Sequence, residues 1–451
     1  MNKLSKWKIS IFGLGYVGLS HAVAYALKGV KVIGFDIDEK KLESIRKGIS
    51  PIKEPGVAEN LGNLIKDGVL KITRDHKNAV LSTNITFISV NTPPLPNGDA
   101  NLSQIKSATS MVGKVLRDKS EYHLVVVNST IPPKTTEDLV KPLLEKTSGK
   151  KIGEEIGLCF MPEFLREGCA IQDILKPWRI VIGEIDKKSG DLLEHFLSDI
   201  HGDEMPPVIR TTPVNAELIK YGSNTFLATR VSFINSIARI CELLPNADVD
   251  VVAYGMGLDP RIGLQYFSAG PGFGGSCLPK DIKALIKTCE KLGYDPLLFK
   301  AVDEVNNQQI KHIIDVVEQK LGDLKDKNVA VLGLAFKSGT DDIRDSQAIK
   351  IIKYLVEKKA EVKVYDPQAV ENAKTVLKDL VKYSTSSHEC IKNCDVAIIV
   401  TDWNEFKELK AEDYRKLMKN PIIVDTRRIY RKKFNEFNEK TTYIPIGIGK
   451  K

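Results

Sequence analysis

Gly13-x-Gly15-x-x-Gly18 stands between an apolar run at Lys8–Phe12 and an alanine-rich stretch over 19–28. A strand, three glycines at this spacing and then a helix leave few folds open. The first glycine permits a tight turn, the second lets a pyrophosphate approach the backbone, and the third lets helix and sheet pack closely. The helix N-terminus adds free N–H groups and partial positive charge for phosphates. Gly29 ends that helix, Lys31–Phe35 is the next strand, and Asp36 follows it. An acid there can bind both hydroxyls of an adenosine ribose and repels a 2′-phosphate. The unit therefore predicts a βαβ fold that binds NAD rather than NADP.

The pattern continues. Further strands are expected over 85–90, 124–128, 157–160 and 179–183, separated by helical or turn-rich stretches. Strands alternating with helices predict an α/β doubly wound parallel sheet, placed at residues 1–205. From there to about 310 the pattern turns helical. One long amphipathic run over 216–244 is closed by Pro245. Such a helix serves equally as a core helix or as a dimer seam. A second α/β pattern fills 311–451, with strands over 328–332, 361–365, 395–400 and 422–424 and a helix over 346–358. It echoes the first without a full GxGxxG.

With 451 residues the chain has room for two or three domains. No run approaches the roughly 18 apolar residues of a membrane span, and the first residues lead straight into a strand without a signal-peptide core. The seven cysteines are scattered, with no CxxC pair and no zinc-ligand spacing. Free thiols, no metal site and a cytoplasmic location are expected. The net charge of +8 is spread too widely for a nucleic-acid stripe, though it can help draw in an anion.

Chemistry-bearing residues cluster after the expected strand ends, where ligands bind in open α/β sheets. Ser89, Val90, Asn91, Thr92 and Pro93 follow one strand, and Asn128-Ser129-Thr130 another. Both segments can equally be turn chemistry. Met161-Pro-Glu163-Phe164-Leu165-Arg166-Glu167-Gly168 puts two acids and an arginine together, which suits acid–base work; a helix start would also favour acids. Lys220 and Asn224 are spaced to share one helix face, where an ammonium and a carboxamide can stabilise an oxyanion; a solvated helix face is the commoner reading of such a pair. Cys277 ends a glycine-rich run, Phe273-Gly-Gly-Ser-Cys, and is followed by Lys280 and Asp281. A structural cysteine packs as a small hydrophobe in an apolar run. This one lies where backbone can approach a ligand, near a cation that favours thiolate. Lys337 and Arg344 follow a strand of the last α/β segment and suit phosphate or sugar contacts, or equally a polar surface loop.

Taken in order, Gly-Leu-Gly-Tyr-Val-Gly, Asn-Thr-Pro, Pro-Glu-Phe-Leu-Arg-Glu-Gly, Lys-Tyr-Gly-Ser-Asn-Thr-Phe-Leu-Ala-Thr, Gly-Phe-Gly-Gly-Ser-Cys-Leu-Pro-Lys-Asp and Phe-Lys-Ser-Gly-Thr-Asp-Asp-Ile-Arg closely resemble the UDP-glucose/GDP-mannose 6-dehydrogenase family. The resemblance runs over essentially the whole chain. It implies two Rossmann-like domains joined by a central helical dimerisation domain, with NAD on the first and a nucleotide sugar on the last. It implies a four-electron oxidation of a primary alcohol to a carboxylate, using two NAD per sugar. Cys277 would form a hemithioacetal and then a thioester. Lys220 and Asn224 would hold the C6 oxygen, Glu163 would act as acid and base, and Thr130 and Asp281 would position water. Gly13, Gly15, Tyr16, Val17, Gly18, Asp36, Lys41, Ser89, Val90, Asn91, Thr92, Pro93, Ser129, Thr130, Glu167 and Arg344 would contact NAD. Glu163, Phe164, Leu165, Arg166, Glu167, Lys220, Asn224, Ser268, Gly272, Phe273, Gly274, Phe336, Lys337 and Arg427 would meet the sugar nucleotide. Arg261 would reach a neighbouring subunit's site in a homodimer.

Met161 departs from the asparagine usual before Pro-Glu-Phe, away from any catalytic position. Leu-Pro-Lys-Asp occurs in GDP-mannose relatives too. The Ala-Gly-Pro-Gly-Phe-Gly-Gly-Ser-Cys approach favours UDP-glucose, because relatives acting on N-acetylated UDP-sugars usually carry a histidine where Ser276 stands. Three readings remain at this level: UDP-glucose 6-dehydrogenase, a dehydrogenase of GDP-mannose or a UDP-N-acetylhexosamine, and a noncatalytic nucleotide-sugar sensor.

Overall fold

The computed structural model describes residues 3–449. The chain divides into two bodies, Met1–Ser223 and Asn224–Lys451. Among the described residues no helix is long and apolar enough to cross a membrane.

The first body holds an eight-stranded sheet: β1 (Lys8–Phe12), β2 (Lys31–Phe35), β3 (Leu70–Thr73), β4 (Ile85–Ile88), β5 (His123–Val127), β6 (Ile156–Phe160), β7 (Ile180–Glu184) and β8 (Val208–Thr211). Their spatial order is β3-β2-β1-β4-β5-β6-β7-β8. Pairing is parallel up to β6, so Ile9 of β1 registers with Val32 on one side and Ile85 on the other. Inner strands such as β4 and β5 are buried at every position, as expected of a parallel sheet covered on both faces. Each fully buried Ile, Val or Leu there contributes about 1.5–3 kcal/mol. The one polar residue inside β1, Ser10, is satisfied by Thr86 and Thr83 at 2.7 and 3.2 Å. The wholly parallel sheet expected from sequence is corrected at one seam. β7 runs antiparallel to β6, because the segment between them holds only a loop and a short helix rather than a crossover.

Helix α1 (Tyr16–Leu27) opens directly from the glycine turn. Helix α2 (Ala170–Leu175) follows the loop after β6. Helix α3 (Pro213–Leu243) is the long run expected from sequence. It starts at a proline, which is tolerated in the first turn, and passes from the first body into the second.

In the second body α4 (Val249–Gly257), α5 (Leu278–Lys291) and α6 (Leu297–Leu321) precede another sheet. Its strands are β9 (Asn328–Leu332), β10 (Glu361–Tyr365), β11 (Lys382–Tyr383), β12 (Val396–Ile399), β13 (Ile422–Asp425) and β14 (Thr442–Pro445). They lie in the order β11-β10-β9-β12-β13-β14, all parallel, with α7 (Gln347–Glu357) packed through Ile351, Ile352 and Leu355. The fold is thus α/β with two Rossmann-like sheets and a helical segment between them in sequence. The strands without a sequence counterpart are β3, β8, β11 and β14, the two edges of each sheet. Edge strands are short and half polar, so they lack the apolar run that marks the inner ones.

Candidate functional site

Two glycines of the turn after β1 are dictated by close contact. Gly13 has φ +94°, and a Cβ there would come 2.7 Å from the Ser89 carbonyl oxygen. A Cβ on Gly18 would fall 1.8 Å from the Gly13 oxygen. Gly15 is different: the nearest atom to its ideal Cβ is Asn91 Oδ1 at 3.7 Å. The open space before it is what a pyrophosphate needs, so the turn fits a dinucleotide.

Asp36 is fixed by Leu14 N–H at 2.8 Å, Asp38 N–H at 3.0 Å and the Lys41 ammonium at 2.8 Å. Burial pushes its carboxyl up, but Lys41 and the two N–H donors outweigh this and hold it below the usual carboxylate range. The acid and the lysine expected at the ribose therefore arrive as an ion pair. The ends of β4 and β5 are laced together. Ser89 donates to Asn128 at 3.1 Å, Ser129 to the Val90 carbonyl at 2.7 Å and Thr92 to the Thr130 carbonyl at 2.8 Å. Asn128 then donates to the Met161 carbonyl at 2.7 Å, so the unusual Met161 serves here through its backbone.

Glu163 and Lys220 form a buried ion pair at 2.9 Å. Glu163 also accepts from Leu165 N–H at 2.8 Å. Burial raises its carboxyl, yet the charge and hydrogen bond of Lys220, the Leu165 N–H and His21 together more than compensate, and the net shift is downward. The Lys220 ammonium lies over Phe164, whose ring also carries Arg179 at 4.0 Å. Arg166 turns away to a bidentate pair with Asp173 at 2.6 and 3.0 Å, leaving Glu163 as the buried acid of this loop. The Glu167–Gly168 turn is tied back by Tyr16, whose hydroxyl accepts from Gly168 N–H at 2.9 Å. Buried Glu54 accepts from Gly168 and Ala170 N–H at 2.7 and 2.6 Å. Glu54 was missed by sequence reasoning; nothing in its own segment signals a partner in another loop.

On α3, Asn224 lies one turn beyond Lys220. Within the second body it donates to Asp281 at 2.6 Å. Lys280, the cation expected to favour a thiolate, sits instead on the other oxygen of Asp281 at 2.5 Å. Cys277 is the N-cap of α5, and its carbonyl accepts from Asp281 N–H at 2.9 Å. Among the described residues it is the only cysteine classed as exposed. Burial raises the thiols of Cys159, Cys241, Cys289, Cys390 and Cys394.

The loop leading to Cys277 walls an open hollow. Ser268, Gly272, Phe273, Gly274, Phe336, Lys337 and Arg427, all expected at a sugar nucleotide, line it. Arg427 is set by its Nε donating to the Val400 carbonyl at 2.9 Å. Sequence reasoning missed Tyr266, which joins the lining with φ +61°. A bulky residue in that region signals local strain, and its sequence neighbours do not announce it. Arg261 and Arg344 stand outside this lining. Each forks onto the aspartate two residues before it, Asp259 and Asp342, and the Arg261 side chain is 87% exposed.

Comparison with known proteins covers nearly the whole chain. The UDP-glucose/GDP-mannose dehydrogenase family matches with its NAD binding domain at residues 7–201, its central domain at 214–308 and its UDP binding domain at 330–432. UDP-glucose 6-dehydrogenase AglM of Haloferax volcanii is 41% identical over 423 residues, 94% of this chain and 97% of that one. The structure of a UDP-glucose dehydrogenase from Pyrobaculum islandicum superposes with a TM-score of 0.90 at 39% identity, covering 98% of each chain. That of a UDP-D-ManNAc dehydrogenase from Pyrococcus horikoshii gives 0.86 at 28% identity, covering 98% of this chain and 99% of the other.

Proposed function

The chain belongs to the UDP-glucose/GDP-mannose dehydrogenase family and is an NAD-dependent oxidoreductase, and we propose that its reaction is the four-electron oxidation of UDP-glucose to UDP-glucuronate. The observation that carries this reading is Cys277. It is an exposed thiol at a helix N-terminus, at the end of the glycine loop that walls the hollow. The partial positive charge there favours an anionic sulfur.

An aldehyde releases a hydride only after a nucleophile has added to it, and a thiolate adds readily. The Gly13–Gly18 turn, the Asp36–Lys41 pair, and the 89–93 and 129–130 segments with Glu167 and Arg344 would hold NAD, which would supply the two-electron acceptor twice per sugar. Cys277 Sγ bonds to the aldehyde carbon, giving a hemithioacetal whose oxidation leaves a thioester. Water then cleaves the carbon–sulfur bond, returning the thiol and releasing the carboxylate. The sum is one primary alcohol, two NAD+ and one water in, and one carboxylate, two NADH and three protons out. Lys220 enters as an ammonium held by Glu163, which suits an oxyanion stabiliser better than a base. Asn224, fixed by Asp281, would share that oxygen. Glu163 would manage the hydrolytic proton, with Thr130 and Asp281 orienting the water. Arg166 and Phe164 to Glu167 would frame the sugar, and Lys337 and Arg427 the diphosphate.

The assignment of 1–205, 206–310 and 311–451 to NAD, dimer and sugar-nucleotide functions, and a cytoplasmic location, belong to the same reading. So does a homodimer completed by Arg261. Phe226, Phe233 and Ile240 recur every seven residues on α3 and are 60%, 45% and 52% exposed, a stripe suited to an identical helix. The test is purified protein with NAD and a panel of UDP-glucose, GDP-mannose and UDP-N-acetylhexosamines. Two NADH per UDP-glucose are expected. One NADH with free aldehyde would overturn the thioester, preference for another sugar would overturn the substrate, and no turnover would favour the sensor.

A further inference from the structure

The glycine loop that precedes Cys277 has no regular partner for its backbone, yet its peptide groups are buried. Four neutral carboxamides from three helices supply the bonds. Asn235 of α3 accepts from Gly270 N–H at 2.8 Å, and Gln309 of α6 donates to the Gly270 carbonyl at 2.9 Å. Asn306 of α6 pairs with Phe273 in both directions, accepting from its N–H at 2.7 Å and donating to its carbonyl at 3.1 Å. Gln347 of α7 donates to that same carbonyl at 2.8 Å. All four side chains are buried.

The fit is close. A Cβ on Gly272, between the two pinned residues, would fall 2.4 Å from Asn306 Oδ1 and 2.6 Å from Gln347 Nε2. Beyond Phe273, Gly275 N–H donates to the Arg344 carbonyl at 3.0 Å, and the next residues are Ser276 and Cys277. The cluster is also incompletely satisfied: Asn235 Nδ2, Gln309 Oε1 and Gln347 Oε1 are buried without hydrogen-bond partners. Unpaired buried polar atoms cost stability, and apolar side chains of like shape would not. Departures of this kind from the most stable packing concentrate at functional sites.

We propose that Asn306 and Gln347, with Gln309 and Asn235, are positioning residues that set the Gly270–Cys277 loop, and with it both the sugar-nucleotide hollow and the aim of the Cys277 thiol. Being uncharged, the clamp holds the loop without responding to pH. The proposal rests on the reading of Cys277 as the nucleophile beside the substrate.

Gln347→Met is the informative variant. It removes an unpaired oxygen and keeps the volume, while Asn306 still serves the Phe273 carbonyl. The expected melting temperature is equal to or above that of the wild-type chain. The UDP-glucose KM should rise or kcat fall about tenfold, with NAD affinity unchanged, because small displacements of a reacting group are costly. Asn306→Ala should do more at both sites and also lower the melting temperature. Two readouts stand apart from turnover: UDP binding by calorimetry, and the iodoacetamide alkylation rate of the Cys277 peptide followed by mass spectrometry. Both should change severalfold in Gln347→Met. Wild-type UDP affinity, thiol reactivity and kinetics in that variant would overturn the clamp. A wild-type chain that fails to oxidise UDP-glucose while the variant still alters UDP binding and thiol reactivity would overturn the reaction and leave the clamp standing.

Discussion

Cys277 differs from the other cysteines in surroundings rather than in spacing. Cys169 also stands at a helix N-cap, but Cys277 is the exposed one, and its backbone is fixed by the following turn through the bond to Asp281 N–H. Cys277→Ser should therefore fold normally but lose at least about a hundredfold in NADH production, since a serine hydroxyl is far less ionised and less nucleophilic than a thiol. Steady-state NADH absorbance reads this, and near-wild-type turnover would remove Cys277 from the mechanism. Glu163 separates the steps. Its carboxylate holds the Lys220 ammonium, so Glu163→Gln both loosens that cation and removes the proposed hydrolytic base. A loss of about 10² to 10⁴ in kcat is expected, with the acylated Cys277 peptide accumulating in a mass spectrum. A slow variant with an unmodified Cys277 would place Glu163 before the thioester instead. The sequence singles out the cysteine, the acid and the lysine because their types and order are chemically distinctive. Their engagements were not: Lys280 reads as an activator of the thiol, and only the fold shows it committed to Asp281.

Helix α3 carries two different burdens. Its first turns hold Glu217, which is fully buried and accepts from Lys134 N–H, Thr136 N–H and the Thr136 hydroxyl. Burial outweighs those bonds, and the carboxyl is pushed up to about 7 from an ordinary 4.5. Between these values the unfolded chain has already released a proton that the folded chain keeps. Stability from this group is therefore greatest below pH 4.5 and falls as pH rises to about 7, a loss of about 3 kcal/mol across the window. Glu217→Gln should flatten that dependence, so the wild-type melting temperature should drop more than the variant's between pH 5 and pH 8. Parallel curves would deny Glu217 the shift. Further along, Phe226, Phe233 and Ile240 are the exposed apolar stripe proposed above as the dimer seam. Phe233→Glu should shift the chain from dimer to monomer in light scattering, since a charge at the centre of an apolar interface costs several kcal/mol. The sequence shows the helix well because its apolar period is long. It does not show which face stays open, since a core helix has the same period.

At the scale of the molecule, the two sheets answer why one chain with two Rossmann-like folds should have a single NAD site. Both repeat the same turn. Gly13 N–H bonds the Phe35 carbonyl and Gly333 N–H the Tyr365 carbonyl, each at 2.8 Å, and each strand pair is followed by an aspartate, Asp36 or Asp366. The halves then diverge. Asp366 accepts from Leu334, Ala335, Gln368 and Ala369 N–H and from the Trp403 indole, a full set that leaves nothing for a ribose. The Leu334 and Ala335 carbonyls are taken by Ser346 and Thr401, and a Cβ at Gly333 would meet Thr401 at 2.5 Å. Helix α1 begins at Tyr16 straight from its glycine turn, whereas α7 begins only at Gln347, and its N-cap Ser346 is spent on the Leu334 carbonyl of the second turn. The missing glycines hint at this divergence in the sequence, but the capture of Asp366 depends on Trp403 and on a turn that no local pattern predicts. One NAD per chain is therefore expected in calorimetry. Asp36→Ala should weaken it about tenfold or more through the lost ribose bonds. Asp366→Ala should leave NAD affinity as it was while destabilising the chain by about 3–5 kcal/mol, because four buried donors and one part-buried donor lose their acceptor. Two NAD per chain, or loss of NAD binding in Asp366→Ala with the fold intact, would mean that the second sheet had kept the function its turn still resembles.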